Sequence, residues 1–192
     1  VLGVIGNPEG FHFSLGILID RLSVLSVFLI TSIGLIVQRY SLRYLDGDPR
    51  QGRFFTWLSF VLFSVTFFVI SRNLLALTLS WFLVSSGIHQ LLLHFAERES
   101  AQKAAWRKFV ISRMGDGILL VALVLTYQLF GTFELSQIFE MAADSKSQNL
   151  LHFLGLTIHP YALVGSLYVL GAMTKSAQFP FHIWLPDTME TP

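Results

Sequence analysis

Residues 160–187 read PYALVGSLYVLGAMTKSAQFPFHIWLPD. The run from Tyr161 to Thr174 contains no charge, so this segment is apolar enough to enter a membrane as a helix. Pro180 and Pro186 prevent the helical hydrogen-bond ladder from continuing undisturbed beyond the lysine. Irregular backbone at membrane depth survives only where protein or a wet cavity satisfies the freed backbone groups. We therefore expect a broken membrane helix whose break is a functional site. The alternative is a helix that simply ends at the membrane interface, with Trp184 as an aromatic anchor.

The composition of the whole chain is typical of a membrane protein. Hydrophobic residues make up 53% of the 192 residues and charged residues only 13%, which is about half the charged share of a soluble domain. This composition argues strongly against a soluble enzyme. The net charge of +1 argues against a nucleic-acid partner. Because the chain has no cysteine, disulfides, thiolate nucleophiles and iron–sulfur ligation are excluded.

Five apolar segments come close to the roughly 20 residues that cross the hydrocarbon of a bilayer. They lie at about residues 15–38, 54–70, 74–95, 109–129 and 160–176. The prediction is an all-α integral membrane protein, embedded in the lipid bilayer, with about five transmembrane helices of which the last is broken. Since the chain opens on Val1 and stops in mid-motif, we expect an internal piece of a larger multi-helix bundle.

The connecting loops predict an orientation. Lysine and arginine are concentrated in the first and third loops, residues 39–53 and 96–108, so both are expected to face the cytoplasm. The long fourth loop, residues 130–159, is expected on the outer side. It has apolar residues at helical spacing, which predict a short helix along the outer interface. These residues are Leu135, Ile138, Phe139 and Ala142.

Ionisable side chains inside apolar segments need a partner or a role, because each costs about 2.5 to 3.5 kcal/mol at the centre of a spanning helix. Arg113 and Asp116 lie three residues apart on one helix face, so they can pair with each other or with a third group. Lys175 directly precedes the break, where a desolvated lysine can exchange protons in the working pH range. A lysine that snorkels to the interface is the alternative.

Two histidines are further candidates for a proton path. His89 lies within the third segment, and His182 follows Lys175 by seven residues, beyond Pro180. Imidazole titrates near neutrality without help, although each histidine could equally be a hydrogen-bonded interior residue. His89 and His94 are about 140° apart around an ideal helix, so they are no metal pair. We predict no metal site and no bound cofactor in this chain.

The string TKSAQFPFHIWLPD at residues 174–187, followed by Met189 and Glu190, closely resembles the signature of antiporter-like membrane subunits. These are the large proton-translocating subunit of respiratory complex I, of the subunit-5 or NuoL type, and the large subunit of Mrp-type cation/proton antiporters. The similarity continues upstream in the order that the family shows. The matching stretches are residues 44–50, 53–55, 73–81 and 113–116.

This resemblance implies roles for two residues. Lys175 corresponds to the lysine in a broken helix that passes protons near the membrane centre, and Asp116 to an acidic partner of that helix. The third segment departs from the family. Where members carry Gly-Trp-Glu, with a glutamate that pairs and modulates the lysine, this chain has Ser80-Trp81-Phe82. His89, about 700° further around the helix, is the candidate substitute.

Together with the histidine-containing segment 89–94, the Ser-Trp-Phe departure resembles the diverged DabB-type membrane subunit of the DAB inorganic-carbon accumulation complex. That resemblance implies a subunit of the bacterial inner membrane in which cations, expected to be protons, run down their gradient. The flow would energise a peripheral cytoplasmic DabA-like partner of carbonic-anhydrase type, which carries zinc and converts CO2 to bicarbonate. The membrane chain would itself catalyse no reaction.

Three alternatives remain open from the sequence. The chain could belong to a proton-pumping subunit of complex I, and so to an NADH:quinone oxidoreductase, or to an Mrp-type antiporter. It could also be a membrane anchor with an inactive channel that only recruits a soluble partner. Lys175 and Asp116 argue against the anchor, because replacing them by apolar residues would gain free energy in a channel without function.

Overall fold

The computed structural model describes residues 4–5, 13–14, 16–144, 151–153 and 156–190. Helices dominate this part of the chain, which confirms the predicted all-α fold. They are α1 (Arg21–Tyr44), α2 (Gln51–Ile70), α3 (Leu74–Leu92), α4 (Glu99–Phe130), α5 (Leu135–Asp144), α6 (Pro160–Lys175) and α7 (Trp184–Asp187), with 3-10 turns at Phe181–Ile183 and Thr188–Glu190. Two short antiparallel pairs join β1 (Val4–Ile5) to β2 (Phe13–Ser14) and β3 (Leu151–Phe153) to β4 (Leu156–Ile158).

Four helices, α1 to α4, are long and apolar enough to cross a membrane. The fifth predicted span is shorter. Helix α6 has 16 residues, about 24 Å at the rise of an α-helix, against about 30 Å of hydrocarbon. It ends at Lys175, and the chain continues through a turn and the short helix α7. The described chain therefore has four full spans and one interrupted helix.

Helix α1 begins and ends about six residues later than the predicted 15–38. Its start is fixed by a capping box: the Ser23 amide donates to Asp20 Oδ1 at 2.6 Å, and the Asp20 amide donates to Ser23 Oγ at 2.8 Å. At the other end the helix continues through Arg39 and Arg43, because arginine is a good helix former whose long stem lets the charge reach the interface.

Helix α4 begins ten residues before the predicted 109–129, so the expected loop at 96–108 is wrong for residues 99–108. That stretch consists largely of strong helix formers such as alanine, glutamate and lysine. Its alanines and Lys108 are buried on one face of the helix. Smaller shifts occur elsewhere: α2 begins at Gln51 and α3 ends at Leu92.

Glycines bring α4 and α6 into close contact. A Cβ atom added to Gly115 would lie 2.0 Å from Thr174 Oγ1, and one added to Gly171 would lie 2.7 Å from the Leu119 side chain. Only glycine permits this approach of the two backbones. Asp116 follows Gly115 on α4, and Lys175 follows Thr174 on α6. The contact between Gly115 and Thr174 therefore brings Asp116 and Lys175 close together.

Helix α5 packs against one end of α3 and α4 through a small apolar cluster of Leu74, Leu123, Phe133 and Ile138. Ile138 is buried, whereas the neighbouring Phe139 is exposed. The location of this helix along the outer interface stays a prediction. Residues 145–150 and 154–155 of the expected outer loop lie outside the described residues.

Candidate functional site

Lys175, the last residue of α6, turns towards α3. Its Nζ donates a hydrogen bond to the backbone carbonyl oxygen of Trp81 at 3.1 Å and lies 5.2 Å from the centre of the Trp81 ring, within cation–π range. A small cavity beside it is lined otherwise by Val65, Phe68 and Val84. The Lys175 side chain is partly buried and makes these contacts inside the helix bundle.

The break after Lys175 is held by specific hydrogen bonds. The Trp184 indole N–H donates to the Thr174 carbonyl at 3.2 Å, and the Gln178 amide donates to the Met173 carbonyl at 3.2 Å. Ala177 takes a left-handed φ of 49° between them. Carbonyl groups that lose their partners where α6 ends are thus satisfied by the segment beyond the break, which is the requirement for interrupted helices in membranes.

Asp116 is 2% exposed at the interior face of α4. Arg113 Nη2 lies 2.6 Å from Asp116 Oδ2, at ion-pair distance. Within the described chain, neither carboxylate oxygen has a hydrogen bond of good geometry. Besides Arg113, Asp116 interacts electrostatically with Lys175 and Lys108. The structure thus brings together three of the predicted site residues, Lys175, Asp116 and Arg113.

Arg113 also contacts aromatic rings on α3 and α4. Its guanidinium lies 5.7 Å from the centre of the Phe82 ring and 5.4 Å from the centre of the Phe109 ring. Both separations are within the range of a cation–π interaction. Phe82 therefore interacts with the Arg113 guanidinium through the face of its ring, whereas a carboxylate at this position would form an ion pair.

Lys108 is a buried charged residue of this site that was not expected from the sequence. It is 2% exposed, and its Nζ donates to the Ser85 carbonyl oxygen on α3 at 2.5 Å. In the sequence it follows Arg107 and reads as part of a basic loop. Its spacing could have indicated its place in the site. Ser112 and Asp116 follow Lys108 at i+4 and i+8, which puts all three residues on one face of the helix.

His89 faces Lys108 across a cavity of about 160 Å³ between α3 and α4, which is also lined by Arg113 and serines. The His89 ring lies 5.3 Å from the Phe109 ring. Its Nδ1 is buried and makes no hydrogen bond to the described residues. The structure therefore joins His89 to Lys108 and Arg113 and places no direct contact between His89 and Lys175.

His182 lies apart from this group. Its side chain is exposed and stacks on the Phe179 ring at 6.0 Å. In the described part of the chain it does not contact the Lys175 ammonium, so its expected position in the same polar pocket is not observed. The segment beyond the break is tied to α4 instead by Asp187, which pairs with Arg107 Nη1 at 2.8 Å.

Comparisons with known proteins agree with this geometry. Residues 71–192 match the NADH:quinone oxidoreductase/Mrp antiporter transmembrane family, and residues 7–55 match the complex I chain 5 N-terminus family. The chain belongs to the complex I/Mrp antiporter membrane-subunit family. With four apolar helices of spanning length, this chain is part of a multi-pass integral membrane protein.

Individual relatives of this family member cover nearly all of its chain. It is 38% identical over 182 residues to the chloroplastic NAD(P)H-quinone oxidoreductase subunit 5 of Piper cenocladum, and 38% identical over 189 residues to that of Cichorium intybus. The match covers 95% and 98% of this chain, but only 24% and 25% of those proteins.

A solved structure shares the fold. A chain in the Mrp complex from Dietzia sp. DQ12-45-1b superposes with a TM-score of 0.76 and 26% sequence identity, over 90% of this chain and 18% of that chain. The resemblance to complex I subunit 5 and Mrp subunits is thus confirmed. The closer relationship to DabB-type subunits stays a prediction.

Proposed function

We propose that this chain forms the proton-transfer core of an antiporter-like membrane subunit in an assembly of the complex I or Mrp type. Lys175 exchanges protons at the break, Asp116 provides the counter-charge, and Arg113 holds Asp116. One observation carries the proposal. Lys175, at a helix break, donates a hydrogen bond to a backbone carbonyl and interacts electrostatically with the buried carboxylate of Asp116.

The balance of charge around Asp116 supports proton exchange. Three side chains that carry positive charge when protonated, Lys108, Arg113 and Lys175, are coupled to one carboxylate. Burial of unpaired charge is costly, and a titratable group in such a place neutralises rather than stay charged without compensation. Arginine stays protonated, so the two lysines are the groups that can release the excess charge.

The other two predicted site residues, His89 and His182, lie at the periphery of the proposed proton route. His89 lies at a polar cavity on one side of the site, where it can connect the site to solvent. His182, exposed beyond the break, would take part only on the far side of Lys175. The concentration of lysine and arginine in the first loop and the start of α4 supports a cytoplasmic position for that side of the protein.

The test is proton flux through the intact parent complex in liposomes, followed with a pH-sensitive dye under an imposed gradient. Lys175→Gln is expected to abolish flux while the complex still assembles. Lys103→Gln is the matched control, because Lys103 is exposed and its ion pair among the described residues is with Glu99, one turn away on α4. Wild-type flux in Lys175→Gln contradicts the proposal, and absence of flux in the unmodified complex favours a membrane anchor.

A second candidate function follows from one residue. Phe82 replaces the glutamate of the family motif, which supports a DabB-type role in which ion flow energises a DabA-like zinc partner for CO2/bicarbonate accumulation in the bacterial inner membrane. Purification of the intact parent complex distinguishes the two. Co-purification of a peripheral zinc protein, and loss of bicarbonate-dependent growth in Lys175→Ala, support the carbon role; co-purification of quinone-reducing subunits supports the complex I role.

A further inference from the structure

Two lysines, the partly buried Lys175 and the buried Lys108, donate hydrogen bonds to neighbouring turns of α3. Lys175 from α6 donates to the carbonyl oxygen of Trp81, and Lys108 from α4 donates to the carbonyl oxygen of Ser85. Trp81 and Ser85 are four residues apart on α3, so the two acceptors are separated by about 6 Å along the helix axis. The two ammonium groups thus occupy successive positions along one helix.

Lys108 lies on the way from one end of α4 to its middle. It is nine residues, about 14 Å, from the first residue of the helix, and Asp116 is eight residues, about 12 Å, further on. Ser112 lies between them on the same buried face. A proton that travels from the Glu99 end of the bundle to the centre therefore meets Lys108 before it meets Asp116.

The cavity beside Lys108 supplies polar surroundings. Its volume of about 160 Å³ has room for several water molecules of about 30 Å³ each. Hydroxyl, amide, imidazole and guanidinium groups line it. They belong to Ser85, Ser86, His89, Gln90, Ser112 and Arg113.

Charged and titratable groups on α3, α4 and α6 interact with Lys108, and Asp187 of α7 pairs with the neighbouring Arg107. His89 faces it from α3, Arg113 and Asp116 from its own helix, and Lys175 from α6. The imidazole of His89 also interacts with the backbone of Ala105 on α4. Electrostatic interactions of Lys108 with His89 on one side and with Asp116 and Lys175 on the other couple the cavity to the Asp116–Lys175 centre.

From this arrangement we infer that Lys108 is a second proton-carrying residue, which transfers protons between the His89 cavity and the Asp116–Lys175 centre. The neutral amine accepts a proton from the cavity side and becomes an ammonium held by the Ser85 carbonyl. The ammonium then releases that proton towards Asp116 and returns to the neutral amine, so charge balances over a cycle. This inference rests on the proposed function, since it adds a step to the same proton route.

The experiment compares two substitutions at Lys108 in the reconstituted parent complex. Lys108→Gln keeps a donor for the Ser85 carbonyl but carries no exchangeable charge. Lys108→Arg keeps the positive charge but does not release its proton. A carrier role predicts that both reduce proton flux about tenfold or more, whereas a purely electrostatic or structural role predicts that Lys108→Arg stays near the wild-type rate.

The outcomes separate this inference from the proposed function. Wild-type flux in Lys108→Gln or Lys108→Arg, with no flux in Lys175→Gln, overturns the role of Lys108 and leaves that of Lys175. Wild-type flux in Lys175→Gln overturns the proposed function itself. If neither Lys108 variant assembles, His89→Gln decides, because glutamine keeps a polar side chain at the cavity but cannot carry the exchangeable proton of the imidazole. Normal flux in His89→Gln overturns the cavity as an entry route.

Discussion

Asp116 is a carboxylate that interacts electrostatically with three cationic side chains, Arg113, Lys175 and Lys108. Its position within the bundle makes it both a structural counter-charge and a proton acceptor. If the carboxylate only stabilised the fold, a neutral group of the same shape would lower the stability of the complex but leave the flux of the assembled complex unchanged. A carboxylate that also accepts protons could not be replaced without loss of flux.

Asp116→Asn tests both roles. The substitution leaves Arg113, Lys108 and Lys175 without their counter-charge, so we expect the complex to lose about 3 to 5 kcal/mol of stability and to lose proton flux. Thermal melting and dye-monitored flux of the assembled complex measure the two effects. Flux at the wild-type rate in assembled Asp116→Asn would show that the carboxylate is not part of the route.

Asp48 is a second informative residue, in the loop between α1 and α2. Its Oδ1 accepts a hydrogen bond from the Arg50 amide at 2.7 Å, and its Oδ2 lies 3.0 Å from Nε2 of the buried His94 at the end of α3. The Arg50 hydrogen bond above all, and then His94, lower the pKa of Asp48 below its ordinary value of 3.8. The pair joins this loop to α3.

This lowered pKa predicts an acid-sensitive loop. Because the pKa of Asp48 is lower in the folded than in the unfolded state, its stabilising contribution is present above pH 3.8 and is lost as the pH falls through the folded pKa. Protection of residues 45–50 against hydrogen exchange, taken relative to the intrinsic exchange rate at each pH, is expected to fall in acid in the wild type. In Asp48→Asn this protection is expected to be low at every pH; the same acid-dependent fall in both proteins would contradict this.

Helices α4 and α6 position the two residues of the proton-transfer centre, and Gly115 sets their separation. A methyl group there would lie 2.0 Å from Thr174 Oγ1 and 2.9 Å from Thr174 Cβ. Thr174 cannot easily yield, since it is buried and its hydroxyl donates to the Gly171 carbonyl at 2.7 Å. A larger residue at 115 must therefore push the helices apart.

Gly115→Ala is expected to destabilise the complex by about 1 to 3 kcal/mol, the usual cost of overpacking, and to lower flux by moving Asp116 away from Lys175. Gly117→Ala is the matched control, because a Cβ there meets no atom within 4 Å and alanine favours the helix. Melting and flux of both variants are compared. Equal behaviour of the two would contradict the close contact; partial recovery in Gly115→Ala with Thr174→Gly would support it.

The elements themselves show where sequence reasoning works. The break after Lys175 is predictable because proline removes a backbone donor, and its effect is local. The start of α4 is not predictable from hydropathy, because residues 99–108 are polar enough to resemble a loop. Their buried residues pack against other parts of the bundle, as Lys108 does against Ser85 of α3, and no local pattern encodes such a contact. Lys108 was missed for this reason, whereas Asp116 stands out against an apolar background.

The whole chain presents much apolar surface. Helix α1 in particular exposes large hydrophobic side chains along most of its length, and we expect this surface to contact lipid or other apolar helices. The chain spans about a quarter of the length of the curated relatives that it matches. The predicted orientation of the bundle in the membrane rests on the distribution of arginine and lysine.

Cysteine labelling tests that orientation, because the chain has no cysteine of its own. In a parent protein without other cysteines, a membrane-impermeant thiol reagent added from the cytoplasmic side is expected to label Asp46→Cys and Lys103→Cys. The same reagent added from the outside is expected to label Glu140→Cys. All three positions are exposed. Labelling of Asp46→Cys and Glu140→Cys from the same side would contradict the arrangement of the spans.

We propose that the Lys175 amine gives up and regains a proton at the break. Proton flux through reconstituted Lys175→Arg tests this directly, since arginine keeps the charge and can still donate to the Trp81 carbonyl but does not release its proton. We expect the assembled complex to show no flux above that of empty liposomes. Flux at the wild-type rate would show that a fixed positive charge is sufficient and that Lys175 carries no proton.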